Sequence, residues 1–173
     1  MIPLETNRLN NVARILGDIS VLAVHLKTPG LSNTAKSAYY RAVIILACTV
    51  VEALVYEVIK AKNSGGNPVI CSKKEFRHKQ SISSTITGGV SLVICEPRQM
   101  DTLLEDSTCK FQDMNKFCKD NGYVTAKEFE RLNYVRTKRN NIHVQGIQNR
   151  DRGYTKQQFK LIFEAILFLI PKI

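Results

Sequence analysis

The strongest constraint on the fold is a long apolar segment. The run Ala42–Val51 contains no charged residue, and it lies within a stretch that begins at Ser32 or Asn33 and extends to about Lys62. A helix that is apolar almost all round buries every face, so this segment is predicted to be the central helix of the fold. This run and the later run Leu161–Ile170 are both shorter than the roughly 20 apolar residues that a bilayer requires. We therefore expect no membrane-spanning segment.

Four other segments have apolar residues spaced three or four apart, which is typical of amphipathic helices. They are residues 5–25, 111–118, 129–142 and 159–170. With 173 residues, of which 44% are hydrophobic and 23% charged, the chain is long enough for one globular core and too short for two ordinary ones. We predict a single domain over 1–173, with an all-α fold: an antiparallel up-and-down bundle of about five helices.

Residues with capping preferences mark the predicted helix ends. The candidate N-caps are Thr6, Ser32 or Asn33, and the capping-box pairs Thr125 with Glu128 and Thr155 with Gln158. Asn121-Gly122 and Gly146 are predicted to end the third and fourth helices.

Residues 63–97 interrupt the helical pattern. The short runs Val69–Cys71 and Val90–Cys95 favour β-strands, so we predict a small hairpin or irregular insertion here. Pro97 is predicted to begin a further helical piece that continues through Met100 and Leu104.

The cysteines and histidines show no metal-binding pattern. Five cysteines occur without a CxxC pair, and the three histidines are scattered along the chain. A secretory signal begins with a basic region followed by an apolar run, and the N-terminus of this sequence has no such pattern. We expect reduced thiols in a cytoplasmic protein that uses no metal and no cofactor.

The net charge of +10 favours a polyanionic partner, most often nucleic acid. Residues 125–153 carry seven basic and three acidic residues, and 63–98 carry five and two, whereas 99–124 are acidic on balance. Four of the five basic residues in 63–98 stand close together: Lys73, Lys74, Arg77 and Lys79.

Within this basic region, one helix places charges beside the core. At 100° per residue, Phe129, Leu132, Arg136, Arg139 and His143 fall within about 80° of arc. Burying charges on such a strip costs free energy unless they have a partner or line a cleft. Imidazole exchanges protons near neutral pH, and guanidinium binds phosphate oxygens in pairs, so this set suits cleavage of a phosphodiester. The alternative is a surface histidine on a solvated basic face.

Glu52 follows the apolar run on the central helix. An unpaired buried carboxylate is costly, so we expect Glu52 to meet a cation, with Arg136, Arg139 and Arg41 as candidates. The contact is either a structural ion pair or one that orients a catalytic residue.

These features resemble the HEPN superfamily (higher eukaryotes and prokaryotes nucleotide-binding). Its ribonucleases carry an arginine, often followed by asparagine, and a histidine four to six residues beyond that arginine. Here six residues separate Arg136 from His143, while the pair Arg139-Asn140 has the polar residue but only three residues before His143. The apolar helix with Glu52 and the final Thr-capped helix also resemble the family.

The resemblance implies a metal-independent endoribonuclease that works as a homodimer, with two motifs facing across a cleft. His143 would be the general acid and base, Arg136 and Arg139 would bind the phosphate, and Asn140 and Glu52 would support the geometry. Additional RNA contacts are expected from Lys138, Arg131, Arg150 and Arg152. Tyr134 and Tyr154 are candidates for base stacking, or else packed aromatics. A toxin or anti-phage role is implied, with an antitoxin or nucleotidyltransferase as partner.

Two alternatives remain at this point. One is a non-catalytic HEPN-like module that binds or scaffolds a nucleotidyltransferase or another defence protein. The other is a basic helical RNA-binding protein unrelated to that superfamily.

Overall fold

Five α-helices and one β-hairpin make up the part of the chain that the computed structural model describes, which is residues 4–64, 69–82, 92–106, 109–142 and 154–173. In chain order these elements are α1 (Leu4–His25), α2 (Asn33–Lys62), β1 (Ile70–Ile82), β2 (Leu92–Leu103), α3 (Phe111–Asp120), α4 (Ala126–Ile142) and α5 (Lys156–Leu169), followed by a 3₁₀ turn (Ile170–Lys172). The prediction of an all-α bundle of about five helices with a small insertion is confirmed.

Helix α2 is the central element. Each of the other four helices packs against it, and α1 contacts no other helix in the described part of the chain. Eleven of its residues are buried, including Val43, Ile44 and Val50 at 0% exposure. Burying a side chain of this kind contributes about 1.5–3 kcal/mol relative to exposure. The core is therefore built around the apolar run that the sequence singled out.

The length of α2 corrects one sequence argument. The sequence argument against a membrane span counted only the run Ala42–Val51. The whole helix has 30 residues, with a mean hydropathy of 2.3 over 18 of them, so by length and composition it could cross a membrane. Of that window, 61% is buried among the other helices. A central helix of a bundle has these same properties, so the packing favours a core role for α2.

Most of the predicted helix ends are confirmed. Ser32 caps α2, where its hydroxyl oxygen accepts a hydrogen bond from the Ala35 N–H at 3.1 Å. The Thr125 and Thr155 capping boxes both form. Thr6 is not an N-cap, because α1 already begins at Leu4 and a capping residue needs a non-helical backbone. The predicted end of α4 at Gly146 lies outside the described residues.

The insertion is an antiparallel hairpin in which Ile70 pairs with Leu103 and Phe76 with Pro97. It therefore extends past residue 97, and the helix predicted to begin at Pro97 is wrong. A two-stranded sheet leaves an unpaired edge on each strand, and such edges accept a proline that lacks an N–H donor. The hairpin is anchored at its base, where the Leu104 N–H donates to the Val69 carbonyl at 2.9 Å.

The hairpin base packs against α3, which leads into α4. Cys71 and Thr102 are buried there, whereas Phe76 further along is 73% exposed. Helix α3 ends at Asp120, and Gly122 then adopts a φ of 69°, a left-handed conformation that favours glycine. This turn sends the chain into α4 alongside α3, so that both helices lie against α2.

Candidate functional site

Helix α4 brings the two motif arginines to the edge of the core. Leu132 and Val135 are fully buried, and Arg136 and Arg139 follow on the same side of the helix. The Cys48 thiol on α2 donates to the Val135 carbonyl oxygen at 3.7 Å, so the two helices are in close contact at this level. The arginines therefore emerge beside α2, as the predicted strip required.

Arg139 is paired with Glu52. Its Nη2 atom lies 3.1 Å from the Glu52 Oε2 atom, with side-chain exposures of 40% and 26%. Of the three candidate cations, Arg139 is thus the one that Glu52 meets. Burial raises the pKa of Glu52, and the positive charge of Arg139 opposes that rise without cancelling it.

Arg136 has a different kind of partner. Its Nη1 atom donates to the Oε1 atom of Gln112, on α3, at 2.7 Å. Its Nε atom is buried and has no hydrogen-bond partner among the described residues. A buried donor without an acceptor costs free energy, and such groups in folded proteins call for a specific explanation.

A groove of about 280 Å³ lies between α2, α4 and the start of α3. Its lining consists of Glu52, Cys109, Lys110, Phe111, Gln112, Arg136, Arg139 and Asn140. Three cations and one carboxylate thus border it within the described part of the chain. Such a groove attracts anions, and its arginines suit the oxygens of a phosphate group.

The structure brings together four of the predicted site residues: Glu52, Arg136, Arg139 and Asn140 all line the groove. His143, Arg150 and Arg152 lie outside the described residues. The side chains of Lys73, Lys74, Arg77 and Lys79, which belong to β1, are also outside the described part.

Arg131 and Lys138, the α4 residues predicted to contact RNA, are not among the residues that line the groove. Arg131 forms an ion pair of 3.0 Å with Glu164 of α5. The Lys138 ammonium lies over the Tyr134 ring, 5.3 Å from its centre. Tyr134 itself is half-buried against the core, while Tyr154 lies beneath the Arg41 guanidinium at 5.1 Å. These contacts favour packing roles for both tyrosines.

Lys110 and Gln112 are two of the groove residues that sequence reasoning missed. They lie at the start of α3, more than 20 residues before the motif arginines, and they look like ordinary surface residues of an amphipathic helix. Only the packing of α3 against α4 places them beside Arg136. The arrangement was therefore visible from the structure and not from residue spacing.

No metal ligand set is found in the described ranges, where no group of three or more His, Cys, Asp or Glu residues could hold an ion. Burial raises the pKa of Cys48, Cys71 and Cys118 to about 12. These three thiols are therefore protonated at neutral pH and are poor metal ligands or nucleophiles.

Comparison of the chain with models of protein families, with curated proteins and with solved structures finds no match.

Proposed function

We propose that this chain is a metal-independent endoribonuclease of the HEPN type. The observation that supports the proposal is the groove, which Lys110, Arg136 and Arg139 line together with one carboxylate, Glu52, in the described part of the chain. A cationic groove of this composition can hold the phosphodiester of RNA and stabilise the extra negative charge of a pentacoordinate phosphorus.

In the proposed reaction the RNA supplies its own nucleophile. The ribose 2′-oxygen attacks the adjacent phosphorus and loses its proton to a general base, while the bond from phosphorus to the 5′-oxygen breaks and that oxygen gains a proton. The products are a 2′,3′-cyclic phosphate and a 5′-hydroxyl. His143 is assigned both proton transfers, since an imidazole can act as base and acid near neutral pH.

The two arginines have separate roles in this proposal. Arg136 contacts a neutral amide and keeps its charge available, so it binds the scissile phosphate. Arg139 is neutralised by Glu52 and serves to hold α2 and α4 in register beside the groove. Asn140, which is exposed at the groove edge, supports the geometry by hydrogen bonding.

The proposal includes a homodimer in which two such grooves face each other, with RNA between them. Arg131, Lys138, Arg150 and Arg152 would extend the contact with RNA. A cytoplasmic toxin or anti-phage role, with an antitoxin or a nucleotidyltransferase as partner, completes the proposal.

A second candidate is a non-catalytic HEPN-like module that binds or scaffolds a nucleotidyltransferase or another defence protein. The Glu52–Arg139 ion pair favours it, because one of the two motif arginines has its charge neutralised before any ligand arrives.

A cleavage assay in EDTA decides between the two candidates. Wild-type protein is expected to cut single-stranded RNA and leave 2′,3′-cyclic phosphate ends, and a 2′-deoxy substitution at the cut site should block cleavage. His143→Ala should abolish cutting, while His25→Ala should not, because His25 is exposed on α1 and stacks on Tyr39. Undiminished cutting by His143→Ala would refute the mechanism, and intact RNA with the wild-type protein would favour the binding module.

A further inference from the structure

The groove arginines differ in the charge of the atom that holds them. The Arg139 guanidinium meets a carboxylate, whereas the Arg136 guanidinium meets the side-chain amide oxygen of Gln112. An amide oxygen accepts the same hydrogen bond as a carboxylate but carries no net charge. Arg136 therefore keeps its full positive charge at the groove wall, while the charge of Arg139 is offset by Glu52.

Gln112 is also the only described residue that forms a hydrogen bond with the Arg136 guanidinium. The Nη1 atom is occupied at 2.7 Å, and the Nε atom is buried without an acceptor. The Nη2 atom is not buried and can be solvated, so the Nε–H donor is the unsatisfied group of this guanidinium among the described residues. Its orientation toward the groove consequently depends on Gln112 until an anion provides further acceptors.

We propose that Gln112 is a positioning residue: its neutral side-chain oxygen fixes the Arg136 guanidinium at the groove without cancelling its charge, so that Arg136 binds the RNA phosphate. The choice of RNA as the ligand rests on the proposed function, while the contact between Gln112 and Arg136 does not. A carboxylate at position 112 would keep the hydrogen bond to Arg136 but offset the positive charge of its guanidinium. An alanine would leave that charge free but remove the hydrogen bond.

The chain offers a closely matched control in Gln157. Gln112 is the second residue of α3 and Gln157 is the second residue of α5, and both side chains are exposed. In both helices the next residue, Asp113 in α3 and Gln158 in α5, caps the N-terminus. Its side chain accepts a hydrogen bond from the backbone N–H of the N-cap residue. Substitutions at Gln157 therefore reproduce the effects of alanine or glutamate in a first helical turn, including the interaction of an added negative charge with the helix dipole.

The experiment compares Gln112→Ala and Gln112→Glu with Gln157→Ala and Gln157→Glu in the full chain. Three quantities are measured: kcat and KM for RNA cleavage, affinity for an uncleavable RNA with 2′-deoxy linkages, and the ¹H–¹⁵N NMR signal of the Arg136 Nε–H group, identified by its loss in Arg136→Lys. The last two quantities do not require catalysis.

Gln112→Ala is expected to broaden the Nε–H signal of Arg136 and to lower kcat about tenfold with little change in KM, because a displaced guanidinium fails mainly in the transition state. Gln112→Glu is expected to preserve that signal but to weaken affinity for the uncleavable RNA about tenfold, because its carboxylate competes with phosphate for the guanidinium. Both Gln157 variants should match the wild type.

The proposal is overturned if Gln112→Ala leaves the Nε–H signal of Arg136 unchanged, or if Gln112→Glu binds the uncleavable RNA as tightly as Gln157→Glu does. Should the wild-type protein bind RNA without cleaving it, the nuclease assignment fails. The NMR signal and the affinity then still decide the role of Gln112. An intact Nε–H signal in Gln112→Ala would refute positioning whatever the protein does to RNA.

Discussion

The Glu52 carboxylate on α2 and the Arg139 guanidinium on α4 lie 3.1 Å apart at the border between core and groove. On one side of this pair are the buried thiol of Cys48 and the fully buried Val135, and on the other is the groove. Burial keeps the pKa of Glu52 raised even though Arg139 acts in the opposite direction. The pair therefore joins α2 to α4 at a place where the loss of hydration of the carboxylate outweighs the attraction of Arg139.

Glu52→Gln is expected to change how stability depends on pH. Because the pKa of Glu52 is raised above 4.5 in the folded protein, the folded state binds this proton more readily than the unfolded state does. The stability from this group is greatest below the unfolded pKa and is lost as the pH rises through the folded pKa. Glu52→Gln should remove that loss, as measured by urea unfolding from about pH 4 to pH 7. Glu130→Gln, which alters an exposed residue of α4, is the control, and an identical pH dependence in wild type and Glu52→Gln would contradict the prediction.

Lys110→Ala is expected to weaken RNA binding and to reduce its salt dependence. Lys110 lines the groove, and loss of one phosphate contact lowers the slope of log affinity against log salt by about one. Lys116→Ala is the control, since Lys116 is an exposed residue of α3, the helix that Lys110 immediately precedes, and does not line the groove. The measurement is fluorescence anisotropy with labelled RNA at several salt concentrations. Equal slopes for the two variants would show that Lys110 is not a phosphate contact.

Thr125→Ala is expected to destabilise the fold without altering the groove. The Thr125 hydroxyl accepts from the Glu128 N–H at 3.3 Å, and the Thr125 N–H donates to the Glu128 carboxylate at 2.7 Å. Loss of a capping side chain costs about 1 kcal/mol, which corresponds to a decrease in Tm of roughly 2–4 °C for a chain of this size. Thr137→Ala, at an exposed position within α4, should not lower Tm, because alanine favours a helix interior more than threonine does. A Tm for Thr125→Ala equal to that of Thr137→Ala would argue against a stabilising cap.

Thiol labelling of the folded protein should separate the cysteines by exposure. Cys95 is exposed on β2 and is expected to react first with iodoacetamide. Cys48, Cys71 and Cys118 are buried, with pKa values raised to about 12, and should react only after denaturation. Mass spectrometry of tryptic peptides locates the label, and Cys95→Ser should remove the fast phase. Rapid labelling of Cys48 would show that the contact between α2 and α4 opens readily.

Much of the fold followed from the sequence because one signal dominated it. The apolar run Ala42–Val51 is best removed from water at the centre of a bundle, although the structure leaves the face with Ile45 and Thr49 exposed. The region after Pro97 was misassigned for the converse reason. Met100 and Leu103 have helical spacing, but they belong to β2, where pairing with β1 outweighs local preference.

The site was only partly predictable. Helical periodicity alone put Arg136 and Arg139 on one strip beside the core. Periodicity could not say which cation would meet Glu52, since three arginines were within reach. Nor could it find Gln112, because its contact with Arg136 depends on how α3 packs against α4, and a polar residue in the first turn of a helix resembles ordinary surface.

The central position of α2 has a consequence during synthesis. Its apolar sides are covered in part by α5, which follows it after nearly a hundred intervening residues. At translation rates of about 5–20 residues per second, a nascent chain displays that surface for roughly 5–20 s before its cover emerges from the ribosome. Newly made protein should therefore depend on chaperones that shield hydrophobic segments, and refolding from denaturant should be most prone to aggregation in variants that weaken the docking of α5.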